Sequence, residues 1–378
     1  MLDAAGHVRH ATVCGVLNPR TRDRLVEAGA RLSEDVPLAG LTTLHVGGPA
    51  AVLAECRTTQ TLVDTVRALD DASVPTLLVA GGSNLLISDA GFDGVVIQIA
   101  NSDVQIGADS VYAEAGAEWD AVVAGTVGAG LGGLECLSGI PGSAGATPVQ
   151  NVGAYGVEIA AVLQRVRLLD RRSGEVSWVL PDALGLEYRT SVLKHSDHAV
   201  VLGAEFALRP DGSSAPLRYR ELFDALGAAE GESRPAADVR AAVLRLRGSK
   251  GMVLEPADHD TWSAGSFFTN PIVSDSDLPG VLDTIVATLG DVAVPQFPGP
   301  NGTKLSAGWL IERAGFGKGY PNAAAAARLS TKHTLALTNR GTATATDIAL
   351  LARDVRNGVH SAFGVMLEPE PVTVGLSL

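Results

Sequence analysis

A glycine-rich segment, SGIPGSAGATPVQNVGAYG at 138–156, restricts the folding of this chain more than any other feature. Three Gly and two Ala lie within residues 139–148, and they remove side chains where a flat ligand could approach the backbone. Thr147, Gln150 and Asn151 add directional hydrogen-bonding groups that suit the polar edge of such a ligand, for example an isoalloxazine ring. The alternative is a flexible linker, but a linker would be more polar and less patterned.

A second small-residue motif, Gly81-Gly82-Ser83-Asn84, directly follows an apolar run at 76–80. The run is typical of a buried strand, and small residues after a strand let backbone N–H groups converge on an anion such as a diphosphate. A plain tight turn fits these four residues about equally well. The motif is neither GxGxxG nor a Walker loop, so it disfavours a Rossmann dinucleotide fold and a P-loop fold.

Hydrophobic periodicity predicts how strands and helices alternate around the two motifs. Strands at 52–56 and 76–80 flank a helix at 59–69, and a further strand follows at 94–99. This alternation indicates an α/β unit, and a strand-rich region follows at 103–209. That region includes a predicted hairpin of strands 162–170 and 176–179. Further helices are predicted at 18–32, 119–129, 220–226, 237–247, 279–289, 306–314 and 347–363, further strands at 111–113 and 200–208, and a terminal strand at 365–373.

Three motifs carry side chains suited to chemistry. Arg189, beside Tyr188, could clamp a carboxylate bidentately, although a surface salt bridge is the better interpretation of that pair alone. Ser266 lies between a glycine and two phenylalanines, where its hydroxyl could donate a proton in a dry pocket. A serine that merely caps a turn is the alternative.

The third such motif is Leu367-Glu368-Pro369-Glu370-Pro371, which has two carboxylates in an apolar terminal segment. Strand alternation places Glu368 and Glu370 on one face, and one of them could pair with Arg189. An exposed edge strand is the alternative, and the two prolines favour it.

Length and composition narrow the class of protein. A chain of 378 residues predicts two or three domains, and a net charge of −13 argues against nucleic-acid or anionic-membrane partners. Cys14, Cys56 and Cys136 are widely spaced, which predicts neither disulfides nor a zinc site. We find no signal peptide and no apolar run of the ~20 residues that span a bilayer, so we expect a cytoplasmic protein.

Taken in order, these motifs resemble the UDP-N-acetylenolpyruvoylglucosamine reductase family over about residues 41–370. The matching segments are TTLHVGGPA, GGSNLL, IPGSAGATPVQNVGAYG, YRTSVLKH, SAGSFFTNP, KLSAGWLIE and LEPE. The resemblance implies an α+β protein: an FAD-binding fold of the vanillyl-alcohol-oxidase type, made of two α+β subdomains, and a C-terminal α+β substrate-binding domain. The implied organisation is an N-terminal extension at 1–30, subdomains at 31–104 and 105–247, the substrate-binding domain at 248–364, and a strand at 365–378 that returns to the active site.

The same resemblance implies non-covalently bound FAD, with NADPH as the reductant of the enolpyruvyl group of UDP-N-acetylglucosamine enolpyruvate. The loop Gly81–Leu86 would hold the FAD diphosphate, and the segment Gly139–Gly156 would line the flavin. The implied FAD-binding residues are Gly81, Gly82, Ser83, Asn84, Leu85, Gly139, Ile140, Pro141, Gly142, Gly145, Ala146, Thr147, Gln150, Asn151 and Gly153.

Roles in the reaction also follow from the resemblance. Arg189 matches the catalytic arginine that stabilises an enolate, Ser266 matches the proton donor, and Glu370 matches the catalytic glutamate. Tyr219 matches the tyrosine loop of the first of two family types. The implied substrate-binding residues are Tyr188, Tyr219, Lys250, Asn270 and His333, with Lys332 beside the last, and we expect a monomer.

This sequence departs from the family pattern in two places. Residues 1–30 extend beyond the usual start, and Pro371 stands where a β-branched residue is usual. Two rival functions remain open. One is an FAD-dependent oxidase of the same fold group with FAD tethered to a histidine such as His45. The other is a non-catalytic nucleotide-sugar sensor, which would not need Arg189, Ser266 and Glu370 together.

Overall fold

Three regions of mixed helix and strand follow one another along residues 16–378, the part of the chain that this computed structural model describes. The first region runs from the start of the described chain to residue 99. Its elements are α1 (Pro19–Glu27), β1 (Arg31–Pro37), β2 (Pro49–Cys56), α2 (Thr59–Asp71), β3 (Thr76–Val79), β4 (Leu85–Ile87) and β5 (Phe92–Ile99).

The second region contains the larger sheet. Its elements are β6 (Val104–Ile106), β7 (Ser110–Glu114), α3 (Trp119–Gly128), β8 (Gly153–Ala154), β9 (Val157–Glu158), β10 (Leu163–Asp170), β11 (Val176–Val179), β12 (Ala199–Ala207), α4 (Arg220–Ala225) and α5 (Ala236–Ser249).

The third region combines short sheets with three helices. Its elements are β13 (Ile272–Val273), α6 (Leu278–Leu289), β14 (Gln296–Gly299), β15 (Gly302–Leu305), α7 (Ala307–Arg313), β16 (Ala327–Leu329), β17 (Leu337–Asn339), α8 (Ala345–Phe363) and β18 (Val372–Val374). Short 3-10 helices occur at Leu38–Leu41, Glu135–Leu137, Ala144–Ala146, Ile159–Ala161, Pro181–Leu184 and His259–Thr261.

The first sheet has the strand order β1-β2-β5-β3, and β5 pairs in parallel with both β2 and β3. β2 and β3 therefore run in the same direction on either side of β5, and α2 supplies the crossover connection between them. Val95, Val96 and Ile97 in the central strand are fully buried, as expected for an apolar run covered on both faces. Since β3 ends at Val79, the Gly81–Asn84 motif lies at the edge of this sheet, just beyond the end of the strand.

Part of the predicted N-terminal extension packs into the core. Leu17 and Leu25 are buried in the same apolar cluster as α2, so residues 16–30 do not behave as a peripheral segment. The helix expected at 18–32 ends at Glu27, because Gly29 has a left-handed φ of +89° and Arg31 already pairs with Glu55 in the sheet. The rest of the predicted extension lies outside the described residues. The domain boundaries proposed after residues 30, 104, 247 and 364 stay predictions.

The second sheet is antiparallel, with the order β11-β10-β12-β7-β6, and its β10–β11 pair confirms the predicted hairpin. Trp119 at the start of α3 is 1% exposed and lies edge-on against Phe206 of β12, with ring centroids 5.3 Å apart. Its indole N–H donates to the carbonyl of Leu137 at 3.1 Å. This contact ties the entrance of the glycine-rich segment to the core of the second region.

The chain ends by returning to the first region. The long helix α8 buries Ile348, Leu351, Val355, Val359 and Phe363, which are the residues that its periodicity predicts. The terminal strand is shorter than the predicted 365–373, because regular pairing is limited to β18, which runs parallel to β4.

Two sequence-based interpretations of buried groups can be compared with the structure. Cys136 is 2% exposed, and burial raises the pKa of its thiol to about 12, which confirms that it acts as a small apolar residue. Cys56 is also buried and free, while Cys14 lies outside the described residues. Among the helices of residues 16–378, none has the length and apolar character to cross a membrane.

Candidate active site

Both small-residue motifs line one cavity of about 840 Å³. A space of this size is within the usual range for a small-molecule or cofactor site. Thirteen of the fifteen predicted FAD-binding residues line it: Gly81, Gly82, Ser83, Asn84, Leu85, Ile140, Pro141, Gly142, Gly145, Ala146, Thr147, Gln150 and Gly153.

The other two predicted FAD-binding residues do not line the cavity. Gly139 has a φ of +68°, and its N–H donates to the carboxylate of Asp120 at 2.6 Å. Asn151 is 1% exposed, and its amide donates to Glu158 and to the carbonyl of Glu187. Both residues therefore stabilise the conformation of the glycine-rich segment through hydrogen bonds on the side away from the cavity. The sequence alone could not distinguish that role from direct contact with FAD.

The two motifs need glycine because they approach each other closely. A Cβ on Gly81 would lie 2.6 Å from the Cα of Gly142, and a Cβ on Gly142 would lie 2.5 Å from the hydroxyl of Ser83. Gly142 also has a φ of +121°, a conformation that side chains rarely adopt. The two motifs can therefore form this close contact, which we call the glycine cradle, only while Gly81 and Gly142 lack side chains.

We expect Gly81→Ala to weaken FAD binding and to cost about 1–3 kcal/mol of folding stability through overpacking. The new methyl group would push the two motifs apart. FAD dissociation followed by flavin fluorescence, together with thermal unfolding, measures both effects. Gly40→Ala is the matched control, since a Cβ there meets nothing within 4 Å. Equal behaviour of the two variants would contradict the cradle.

Asn84 joins three distant parts of the chain. Its side-chain amide donates to Gln150 at 2.7 Å and to the carbonyl of Glu370 at 3.2 Å. The backbone carbonyl of Asn84 also accepts from the N–H of Val372 at 2.9 Å. The sequence predicts Asn84 only as an FAD ligand. Its hydrogen bonds also connect the Gly81–Asn84 motif to the glycine-rich segment and to the C-terminal segment.

The cavity wall fits a ligand with polar edges. The hydroxyl of Ser143 and Nε of Arg247 are buried without a hydrogen-bond partner among the described residues, and both residues line the cavity. Buried polar atoms normally have partners, so these two point to a ligand that supplies them. An isoalloxazine ring or a diphosphate has the acceptors that both donors require.

Arg189 and Glu370 meet at this cavity although they are far apart in sequence. Nε of Arg189 lies 3.4 Å from the Glu370 carboxylate, and Nη2 of Arg189 donates to the carbonyl of Gly153 at 2.9 Å. Their side chains are 24% and 14% exposed, so the ion pair is largely shielded from solvent. Burial raises the pKa of Glu370, while the cations of Arg189 and Lys194 oppose that rise.

Ser266 reaches the same cavity through a short antiparallel contact. The N–H of Glu370 donates to the carbonyl of Phe267 at 2.9 Å, and the N–H of Thr269 donates to the carbonyl of Glu368 at 3.0 Å. Residues 266–269 and 368–370 therefore lie side by side. This pairing places Ser266 near Glu370, and Arg189 lies with them on the wall of the same cavity.

The two C-terminal carboxylates do not share a face, which corrects the alternation argument. Glu368 is exposed and does not line the cavity, whereas Glu370 does. Residues 365–368 alternate between buried and exposed positions, but residues 365–371 form no regular strand, and the alternation does not continue to Glu370. Pro371 removes no required hydrogen bond, because the pairing with β4 begins only at Val372.

The five predicted substrate-binding residues lie outside the cavity wall. Asn270 accepts from the N–H of Ala307 at 2.9 Å, and Tyr219 is 44% exposed and packs edge-on against Tyr155. Lys250 forms an ion pair with Glu221 on α4. In the third region, burial and then nearby Lys250 lower the pKa of His333 to about 4.

Tyr188 is the fifth of these residues, and it lies between two cations. The guanidinium carbon of Arg189 is 5.4 Å from its ring centroid, and Nζ of Lys304 is 4.8 Å from the same centroid. The aromatic ring therefore contacts the predicted catalytic arginine and the third region, and it does not enter the cavity.

Sequence reasoning missed several cavity residues with ionisable side chains. Arg171 is anchored by Asp70, Arg247 lies in the last turn of α5, and Lys194 lies five residues after Arg189. Lys194 falls inside the quoted segment YRTSVLKH, so that motif held the signal. Arg171 and Arg247 lie in ordinary hairpin and helix patterns, where nothing local marks them.

Family comparisons agree with this division of the chain. The sequence model of an FAD binding domain matches residues 49–179, which include both small-residue motifs. The sequence model of the C-terminal domain of UDP-N-acetylenolpyruvoylglucosamine reductase matches residues 255–374, which include Ser266 and Glu370. An α+β FAD-binding domain of the vanillyl-alcohol-oxidase type joined to that second domain defines an FAD-dependent oxidoreductase.

Relatives that carry the name of this reductase match nearly the whole chain. The UDP-N-acetylenolpyruvoylglucosamine reductase of Nocardia farcinica is 69% identical over 98% of this chain and 99% of its own length. That of Mycolicibacterium gilvum is 58% identical over 93% and 98%. The crystal structure of the reductase from Thermus caldophilus superposes with a TM-score of 0.62 at 26% identity, covering 91% of this chain and 99% of that one. The chain belongs to the UDP-N-acetylenolpyruvoylglucosamine reductase family.

Proposed function

We propose that Arg189, Glu370 and Ser266 carry out the family reaction at the cavity described above. That reaction is the NADPH-dependent reduction of UDP-N-acetylglucosamine enolpyruvate to UDP-N-acetylmuramate through bound FAD, in peptidoglycan precursor synthesis. One observation carries the assignment of residues. Three side chains from distant parts of the sequence line a cavity whose wall also holds both small-residue motifs.

The lining of the cavity supports a proposal for where the cofactor binds. The loop 81–85 would hold the diphosphate of FAD, and the segment 140–153 would line its ring, with the unpartnered donors of Ser143 and Arg247 available to it. When bound, FAD supplies the two-electron chemistry that links NADPH to the double bond. The protein's own contribution is to orient the substrate, exclude water and move a proton.

The chemistry explains why these three side chains are needed. Reduction at the terminal carbon of the double bond leaves negative charge on the carbon beside the carboxylate. Such a charge is costly without fixed electrostatic stabilisation. Arg189, oriented by Glu370 and by the carbonyl of Gly153, supplies a positive charge there. Ser266 then donates the proton that completes the product at that carbon.

Stopped-flow reduction by NADPH, followed by addition of the enolpyruvyl UDP-sugar, tests the function. We expect rapid flavin reduction and then reoxidation that depends on the sugar. Reoxidation by oxygen alone at a comparable rate would favour the oxidase alternative. Binding of the sugar without turnover would favour the sensor alternative.

We expect the purified protein to be yellow with non-covalent FAD. His45, the candidate for a covalent tether, does not line the cavity, and its ring lies 4.0 Å from that of Trp262. Acid precipitation should therefore release all the flavin into the supernatant. Flavin that stays in the pellet would contradict this expectation.

Other finer assignments accompany this proposal. The UDP-sugar would contact Tyr188, Tyr219, Lys250, Asn270 and His333. Lys250 would bind its diphosphate, and the loop that carries Tyr219 would fold over its nucleotide. A monomeric, cytoplasmic enzyme without nucleic-acid or membrane partners stays a prediction from the sequence.

A further inference from the structure

Arg189 occupies a backbone position that usually belongs to glycine. The turn at 187–190 is closed by mutual hydrogen bonds of 3.1 and 3.2 Å between the backbones of Glu187 and Thr190. Arg189 is the third residue of this turn and has a φ of +58°. A left-handed conformation at a residue with a side chain costs on the order of 1 kcal/mol, and such strain clusters at functional sites. Surrounding contacts must hold the turn in place.

Lys194 makes one such contact. Its Nζ donates to the carbonyl oxygen of Arg189 at 3.1 Å, and its side chain lines the cavity. The intervening segment is anchored by Ser191, whose hydroxyl donates to the carbonyl of Val149 at 2.6 Å and accepts from the N–H of Leu193. The chain thus folds back so that Lys194 reaches the residue on which the chemistry depends.

Lys194 also sets the local charge. The cations of Arg189 and Lys194 both lower the pKa of Glu370. These two cations and the Glu370 carboxylate sum to about +1, and Arg247, which lines the same cavity and interacts with Arg189, adds to the positive charge that favours an anionic substrate carboxylate. Without Lys194, the pair of Arg189 and Glu370 would be neutral.

We infer that Lys194 is a positioning residue of this site: its ammonium group holds the turn that carries Arg189 and leaves the Arg189–Glu370 pair with net positive charge. This inference rests on the proposed roles of Arg189 and Glu370. Lys194 is not expected to exchange a proton with the substrate. Its effect passes through the backbone of Arg189 and through the ionisation of Glu370.

The proposal predicts a specific pH effect. Lys194 lowers the pKa of Glu370 against the rise caused by burial, so its removal moves that pKa upward. Glu370 must be ionised to orient Arg189, so the acid limb of kcat/KM should move to higher pH. A purely structural lysine would leave the position of this limb unchanged.

Three substitutions separate the two contributions of Lys194. Lys194→Met removes donor and charge, Lys194→Gln keeps a donor, and Lys194→Arg keeps the charge. We expect the Met variant to slow reoxidation by the enolpyruvyl UDP-sugar about 10- to 100-fold, the range typical of a misplaced catalytic group, and to raise KM for the sugar. Lys194→Arg should restore the acid limb, whereas Lys194→Gln should not.

The design includes readouts that a general loss of structure would change. FAD content, thermal unfolding and the rate of flavin reduction by NADPH should stay near wild type in all three variants. Arg245→Gln, an exposed change on α5, is the control and should match wild type throughout. Unchanged reoxidation and an unchanged acid limb in Lys194→Met would overturn the proposal. Loss of FAD or of stability without rescue by Lys194→Arg would also overturn it, because it would show a structural role alone.

Measuring Arg189→Lys in parallel distinguishes a failure of the role of Lys194 from a failure of the proposed function on which that role rests. If Arg189→Lys slows reoxidation strongly while Lys194→Met does not, the proposed function stands and the role of Lys194 fails. If neither variant affects reoxidation, the proposed function itself fails.

Discussion

Ser266→Ala is expected to leave flavin reduction by NADPH nearly intact and to slow reoxidation by the enolpyruvyl UDP-sugar about 10²–10⁴-fold. The asymmetry arises because a general acid at Ser266 acts only when a proton is delivered to the substrate carbon. Reduction by NADPH needs no such proton. Stopped-flow measurement of each half-reaction, with FAD content as a check on integrity, gives both rates.

Two further variants sharpen this test. Ser266→Cys retains an acidic hydrogen at the same place, so it should keep more reoxidation activity than Ser266→Ala. Ser263→Ala is the matched control from the same loop, since the Ser263 hydroxyl accepts from the N–H of Gly265 at 3.1 Å. Its loss should cost ~1 kcal/mol of stability and affect the two half-reactions alike. Equal slowing of both half-reactions by Ser266→Ala, or of neither, would rule out the proton-donor role.

Glu370→Gln is expected to lower turnover on the order of 10²-fold, the scale seen when fixed electrostatic stabilisation is lost. The carboxylate of Glu370 lies 3.4 Å from Nε of Arg189 in a largely shielded position. A neutral amide would leave the arginine without its charged partner and free to reorient. Steady-state turnover, with the NADPH half-reaction measured separately, should show the loss in the step that uses the sugar.

Glu368→Gln provides a control two residues away in sequence. Glu368 is exposed, and its contribution to the site is a backbone carbonyl that accepts from Thr269, which the substitution retains. We expect turnover within about twofold of wild type, since surface substitutions away from special features change little. A larger loss of turnover in Glu368→Gln than in Glu370→Gln would assign the catalytic role to Glu368 and would contradict the proposed site.

Local patterns predicted most of the elements that carry the site. The apolar stripe of α8, the buried run in β5 and the hairpin of β10 and β11 each depend on neighbours within one element or one turn. The two small-residue motifs can also be recognised locally, because their glycines are evident in the sequence itself. The ordered motifs together predicted the family, and the relatives confirm it.

Other features depended on partners that no local pattern reveals. Whether α1 is peripheral depends on the α2 surface that buries Leu25, and whether Asn151 contacts a ligand depends on where Glu158 and Glu187 lie. Alternation assigned Glu368 and Glu370 to one face because it assumes a regular strand. The segment instead crosses residues 266–269 through only a few hydrogen bonds, and this leaves one carboxylate exposed.

The sequence by itself thus determined the family, the order of the motifs and the residue types that the chemistry needs. The tertiary structure decided which of those residues meet: Glu370 and not its neighbour beside Arg189, Lys194 behind the turn of Arg189, and Asn84 as the junction of three segments. The physical reason is that burial and ion pairing are set by contacts between segments up to about three hundred residues apart. Periodicity reports only on neighbours along the chain.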